Sequence, residues 1–251
     1  MLAPLPRLPL EIIFSISDLL HNDTETLAQC CLVFKAWIHH TRRHLFNEIE
    51  FPYPSKLEAW KETFPDPASS PAHYARVLRI RCANIATTKD AEEGGWIRSF
   101  TNVTQLELWG MHTPLDPFYI LSSVKSLRVL FVTSPEVLRL VCSFPLLEDL
   151  DICIAEMNDF DWATFKPPTL PRPLTGTLVH KGGMHAARLL LGLPGGLRFR
   201  KIEWETSFSE GELELVMDLM EKCSQTLEGI FVKTSWSCKH HSLGSCGRFP
   251  I

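Results

Sequence analysis

Short apolar–polar–apolar segments recur along most of this chain, each followed by a turn and then a loosely helical stretch. They are residues 76–80, 104–108, 128–132, 148–152, 176–179, 201–204 and 229–232. With Leu78, Leu106, Leu130, Leu150, Leu178, Ile202 and Ile230 as anchors, the intervals are 28, 24, 20, 28, 24 and 28 residues. An apolar residue often stands three places before the anchor: Val103, Leu127, Leu147, Phe199 and Leu227. Alternate side chains of an extended segment point to opposite faces. Arg79, Glu107, Phe131, Asp151, Glu203 and Phe231 are therefore expected to point outward between buried neighbours. One such strand cannot bury its apolar face alone, so the copies should stack into a continuous parallel sheet. Residues 97–100, 118–124, 135–144, 185–193 and 210–223 would close the core. The last is the clearest helix: Ser209 can cap it, Glu212 follows three residues on, and Leu213, Val216, Met217 and Met220 line one side.

The first fifty residues have a different period. Pro9 suits the start of a helix, where its missing N–H would be unpaired anyway. Ile12, Ile16, Leu19 and Leu20 then recur at the spacing of one helical face. His21-Asn22-Asp23 breaks that pattern, and Asp23 or Thr24 can cap a second helix with Glu25 in its first turn. This second helix carries Leu27, Cys30 and Cys31; a third carries Trp37, Ile38, Leu45 and Phe46. Prolines then punctuate a connection, with one short helical piece at 56–64. The reading is thus α/β: a three-helix module at 1–51, a linker at 52–72, a repeat domain at 73–236 and an irregular tail at 237–251. Residues 157–173, rich in Asp and Pro, read as a loop inserted on one rim. The end of the chain reads as an array without a clear capping repeat.

In order, Leu8-Pro9-x-Glu11-Ile12, Ile16, Leu19-Leu20, Leu27, Cys30-x-Leu32-Val33, Lys35-x-Trp37 and Leu45-Phe46 resemble the F-box motif. The resemblance covers that whole short domain, about a fifth of the chain. It departs at Phe34, where the family often has Ser or Cys before the Lys. The repeat period matches degenerate leucine-rich repeats, whose copies run roughly 20–29 residues. The Asn or Cys that usually follows the strand is missing from most copies, with Cys82 and Cys153 as approximations. A parallel α/β domain with crossover helices is the competing architecture. Against it, Gly182-Gly183 and Gly195-Gly196 do not form a phosphate-binding G-x-G-x-x-G loop.

The resemblance implies a substrate-recognition adaptor of an SCF (Skp–cullin–F-box) ubiquitin ligase. Leu8, Pro9, Ile12, Leu32, Val33 and Trp37 would dock on a Skp-type adaptor, and through it on a cullin. From strand geometry, Glu107, Phe131, Asp151, Glu203 and Phe231 would face a protein substrate. The alternative is a free-standing repeat scaffold whose helices only cap the solenoid, since such arrays need caps. A cap buries its apolar face internally, whereas a docking module leaves it exposed.

Composition narrows the classes further. Of 251 residues, 45% are hydrophobic and 22% charged, which fits an ordinary folded chain rather than a disordered one. Net charge is −4, and the basic clusters (Arg42-Arg43 and 198–201) are short, so no nucleic-acid footprint is expected. No apolar run reaches the roughly 18 residues of a membrane span, and the first residues lack the order of a signal peptide. Eight irregularly spaced cysteines then read as reduced thiols of the cytoplasm or nucleus. Cys238, His240, His241 and Cys246 do not have the paired spacing of a zinc site, so no metal or cofactor is expected. The carboxylate pairs Asp159/Asp161 and Glu203/Glu205 read as solvated charge, and no G-x-S-x-G stands in the chain. The expectation is a non-enzyme.

Overall fold

A computed structural model describes residues 9–33, 35–81, 95–110, 115–132, 136–154, 166, 168–181, 184–206 and 210–234. Among these residues lie seven α-helices and one eight-stranded, all-parallel sheet. The helices are α1 Leu10–Leu19, α2 Thr24–Val33, α3 Lys35–Leu45, α4 Pro54–Thr63, α5 Glu136–Ser143, α6 Met184–Leu191 and α7 Glu210–Cys223. The strands are β1 Glu48–Phe51, β2 Val77–Ile80, β3 Gln105–Trp109, β4 Ser126–Val132, β5 Asp149–Ile154, β6 Thr177–Lys181, β7 Lys201–Thr206 and β8 Gly229–Thr234. Each strand pairs with the next in sequence, so the order across the sheet is the chain order. The α/β expectation with a parallel sheet holds.

Two inward rows of side chains run across the strands. One is Ile49, Leu78, Leu106, Leu127, Leu150, Leu178, Ile202 and Ile230 in register. Leu127, not the anchor Leu130, therefore stands level with its neighbours, and its intervals to Leu106 and Leu150 are 21 and 23 residues. The run Leu127-Arg-Val-Leu-Phe-Val permits two frames of alternation. The choice is made by pairing with β3 and β5, and the surplus is taken up by a register shift between Leu130 and Val132.

The sheet also starts earlier than the sequence reading placed it. Glu48-Ile49-Glu50-Phe51 alternates exposed and buried and pairs with β2, so the end of the helical module supplies the first strand. On the far side of the inward face, α5 buries Val137, Leu138, Leu140 and Val141, and α6 buries Ala186, Ala187, Leu189 and Leu190. Two of the expected helical or irregular segments contain 3-10 turns, Ile97–Ser99 and Asp116–Ile120, each burying one large side chain, Ile97 and Phe118.

Helix α7 has the expected bounds but a different buried face. Glu212, Val216, Leu219 and Cys223 face inward, while Leu213 and Met217 are exposed. The inward stripe is fixed by packing against α6, and periodicity alone does not distinguish two apolar stripes one residue apart. In the first module, Asp23 rather than Thr24 caps α2: its Oδ1 accepts from the Thr26 N–H at 2.9 Å. That bond holds the Asp23 carboxyl below its ordinary range.

A tight point lies before β6. The Gly176 N–H donates to Glu148 O at 3.0 Å, and the Thr177 N–H donates to Asp149 Oδ1 at 2.7 Å. A Cβ on Gly176 would meet the Glu148 carbonyl oxygen at 2.6 Å, and the Asp149 carboxylate closer still. Gly176→Ala is therefore expected to cost about 1–3 kcal/mol through overpacking. Urea unfolding of the two proteins would measure it, and an unchanged midpoint would refute the close approach.

Candidate functional site

Among the described residues of the helical module's three helices, the buried ones are Ile13 and Ser17 of α1, Leu27 of α2 and Thr41 of α3. Ser17 satisfies its hydroxyl by donating to Ile13 O at 3.0 Å, and Thr41 donates to Trp37 O at 2.6 Å. Because Ile13 and Ser17 take the inner face, most of the apolar residues of α1 point outward. Leu10, Ile12, Phe14 and Leu19 are exposed, Leu19 at 83% and Ile12 at 46%. Leu32 near the end of α2 is exposed at 80%. Scattered exposed leucines are ordinary; here four large apolar side chains of one ten-residue helix are exposed.

Of the expected docking residues, Pro9 is exposed and leads into α1, Ile12 and Leu32 are exposed, and Trp37 is half-buried. Leu8 lies outside the described residues, as does the side chain of Val33 in α2.

The outward row of the sheet runs Glu50, Arg79, Glu107, Arg128, Asp151, Val179, Glu203 and Phe231. Arg128, not Phe131, occupies the β4 place, for the same register reason as at Leu127. Charges alternate along the first five strands and pair. Arg79 bridges Glu48 and Glu107, the latter at 3.2 Å; Arg128 bridges Glu107 at 3.4 Å and Asp151 at 2.7 Å. Lys181 of β6 reaches the same Asp151 oxygen at 3.2 Å. Glu107 and Asp151 are thereby closed off, at 2% and 8% exposure. They hold neighbouring strands together and present little to a partner.

The aromatic members of the expected substrate face are open. Phe131 and Phe231 are exposed at 56% and 57%. Phe131 also has φ +58°, in the left-handed region that β-carbon sterics disfavour. That conformation, at the register shift in β4, costs on the order of 1 kcal/mol and turns the ring outward. Glu203 is half-buried and pairs with Lys233 at 3.7 Å. Trp204, whose place in core or surface was open from sequence, is buried and stacks on His180 of the adjacent strand at 3.8 Å. Trp109 lies under the Arg81 guanidinium at 4.6 Å, while Trp236 is outside the described residues.

Burial pushes the Cys142 thiol up to about 11 and raises Cys153 and Cys223 as well. Thiols so shifted stay protonated near neutrality and are poor nucleophiles. Asp159, Asp161 and the tail with Cys238, His240, His241 and Cys246 lie outside the described residues.

One constellation was not anticipated from sequence. Asp18 at the end of α1 meets His40 and His44 of α3, with Asp18 Oδ1 at 2.9 Å from each Nε2. The i, i+4 histidine spacing on one helix was the available signal, but the carboxylate 22 residues away was not. Among the described residues no helix is long and apolar enough to cross a membrane. Neither a family model, nor a curated protein, nor a solved structure matches this chain.

Proposed function

We propose that this chain is a substrate-recognition adaptor of an SCF-type ubiquitin ligase. In this reading α1–α3 form an F-box-like module that docks on a Skp-type adaptor. The sheet and its helices form a degenerate leucine-rich-repeat-type domain that holds a protein substrate. The observation that carries it is the outward apolar surface of α1 and α2. A module that served only as a cap would turn Ile12, Leu19 and Leu32 inward; here they are exposed. Burying each against a partner is worth roughly 1.5–3 kcal/mol, enough for a few such residues to anchor a complex. The ordered motif resemblance over 8–46 points the same way. On the substrate side, exposed Phe131 and Phe231 are the side chains suited to recognition, and the polar members of the row serve the sheet instead.

A second reading has its own support. Phe46 packs on Trp60 at 6.3 Å, and His39 Nδ1 lies 2.9 Å from the Tyr74 hydroxyl. With β1 in the sheet, the helices are tied to the repeat domain as a cap would be. A free-standing protein-binding scaffold follows if docking fails.

The test is co-purification with a Skp-type adaptor, comparing wild type with Ile12→Glu/Leu32→Glu. Both positions are exposed, so the variant should keep its circular dichroism and unfolding midpoint. Stoichiometric capture by wild type and its loss in the folded variant is the expected outcome. A folded wild type that captures no adaptor overturns the ligase reading and leaves the scaffold.

A further inference from the structure

We propose that Asp18, His40 and His44 form a binding site for a divalent transition metal, with zinc as the ion the ligand set suits best. His40 and His44 stand four apart on α3 and therefore project from one face. Asp18 Oδ1 lies 2.9 Å from both Nε2 atoms, and the three ligand atoms all fall within 4.8 Å of one another. A tetrahedral zinc with ligands at 2.0–2.1 Å separates its ligand atoms by about 3.3 Å. The two carboxylate–nitrogen distances thus need only a few tenths of an ångström of opening to admit the ion.

The chemistry of the set selects the metal. Imidazole nitrogen suits zinc, copper, nickel and iron, whereas calcium and magnesium want shells of oxygen. Three protein ligands leave a fourth position for water, and the surroundings permit it: the side chains of His40, His44 and Asp18 are 14%, 24% and 60% exposed. The histidine rings are held by packing rather than free to swing. Phe14 stacks on His40 at 4.3 Å with 23° between planes, and His44 meets the His40 ring edge-on at 5.2 Å. Ligands fixed in this way lose little entropy on binding.

Without metal, the Asp18 carboxylate accepts from both rings, and its pKa lies below the ordinary range, first through the His40 hydrogen bond. Metal binding exchanges those two hydrogen bonds for two nitrogen–metal bonds, with each ring proton carried on Nδ1. The ion would clamp α1 to α3. The site stands independently of adaptor docking, since it rests on neither Ile12 nor Leu32.

The experiment uses the full chain, stripped with chelator and titrated with zinc and, separately, with cobalt(II). The variants are Asp18→Asn, chosen because Asp18 is largely exposed and the change keeps its shape, and His44→Gln. The expected result is one-to-one binding by wild type. The cobalt visible spectrum should be that of nitrogen and oxygen ligands without a thiolate charge-transfer band. Affinity should fall about 100-fold or more in either variant, beyond the 10–100-fold that loss of an outer-shell partner brings. The absence of a thiolate band separates this site from the Cys238, His240, His241 and Cys246 tail. Circular dichroism and metal-free unfolding identify any variant that fails to fold, and the wild-type cobalt spectrum then still decides. No binding by folded wild type, a thiolate signature alone, or affinity unchanged in both folded variants overturns the proposal.

Discussion

Phe51→Ala is expected to destabilise the protein by about 3–5 kcal/mol, the range for emptying a buried aromatic site. Phe51 ends β1, opposite Ile80, and is buried. Its ring meets Trp60 of α4 at 5.8 Å, Trp96 at 6.0 Å and Phe100 at 6.4 Å, all close to edge-on. These are favourable quadrupole geometries, worth about 0.5–1.5 kcal/mol per pair beyond the area they bury. The cluster is shared between three parts of the chain: the first strand, α4 and the turn at Ile97–Ser99. Trp60 in turn holds Phe64 at 4.7 Å and Phe46 at 6.3 Å, so the cavity would open where the helical module joins the sheet. Guanidinium unfolding should show a lower midpoint, and fluorescence of Trp60 and Trp96 should report the junction. A loss below about 1 kcal/mol would mean that the site collapses freely and that the cluster does not join the helical module to the sheet.

The second large effect is expected at Arg128. Its guanidinium lies between Glu107 and Asp151, two carboxylates with little exposure, at 3.4 Å and 2.7 Å. Arg128→Met keeps the side chain's apolar stem and removes the charge. Breaking a fully buried pair costs about 3–5 kcal/mol, because the remaining charge is left without compensation. Here the Arg128 side chain is 40% exposed, Glu107 keeps Arg79 and Asp151 keeps Lys181. The expected loss is therefore smaller, about 2–3 kcal/mol. The double variant Glu107→Leu/Arg128→Met should recover part of that loss, since the stranded carboxylate is gone. Chemical denaturation of the four corners of this cycle measures the coupling. Additive losses would show that Glu107 and Arg128 do not act together, against the ladder of pairs seen across the strands.

The aromatic cluster at Phe51 and the ion pairs at Arg128 stand at different distances from the sequence. The apolar periodicity of residues 76–232 is written in the chain, because each copy must bury the same two positions of its strand whatever lies beside it. Parallel stacking in chain order follows from that need. The outline of α7 is equally local, as are the cap at Asp23 and the break at His21-Asn22. The small β1 was missed although Glu48-Ile49-Glu50-Phe51 alternates, because it directly follows a helical pattern and is only four residues long. Its partner, β2, begins 26 residues later at Val77.

Other features were not local at all. Leu127 and Leu130 are both apolar and both fit an alternating frame, so only hydrogen bonding to β3 and β5 selects between them. That one choice moves Phe131 off the outward row and puts Arg128 between Glu107 and Asp151. The charges were visible in the sequence; their neutralisation was not, since it depends on which residues stand side by side on different strands. The same holds for Asp18, whose partners His40 and His44 come from another helix, and for α1, where Ile13 and Ser17 rather than Ile12 and Leu19 face inward. The sequence by itself determined what repeats, the outlines of those strands and helices long enough to show a period, and which positions alternate, because these follow from backbone period and side-chain polarity within a few residues. Only the tertiary structure decided register, helix rotation and charge pairing, because each depends on an energy shared between segments distant in the chain.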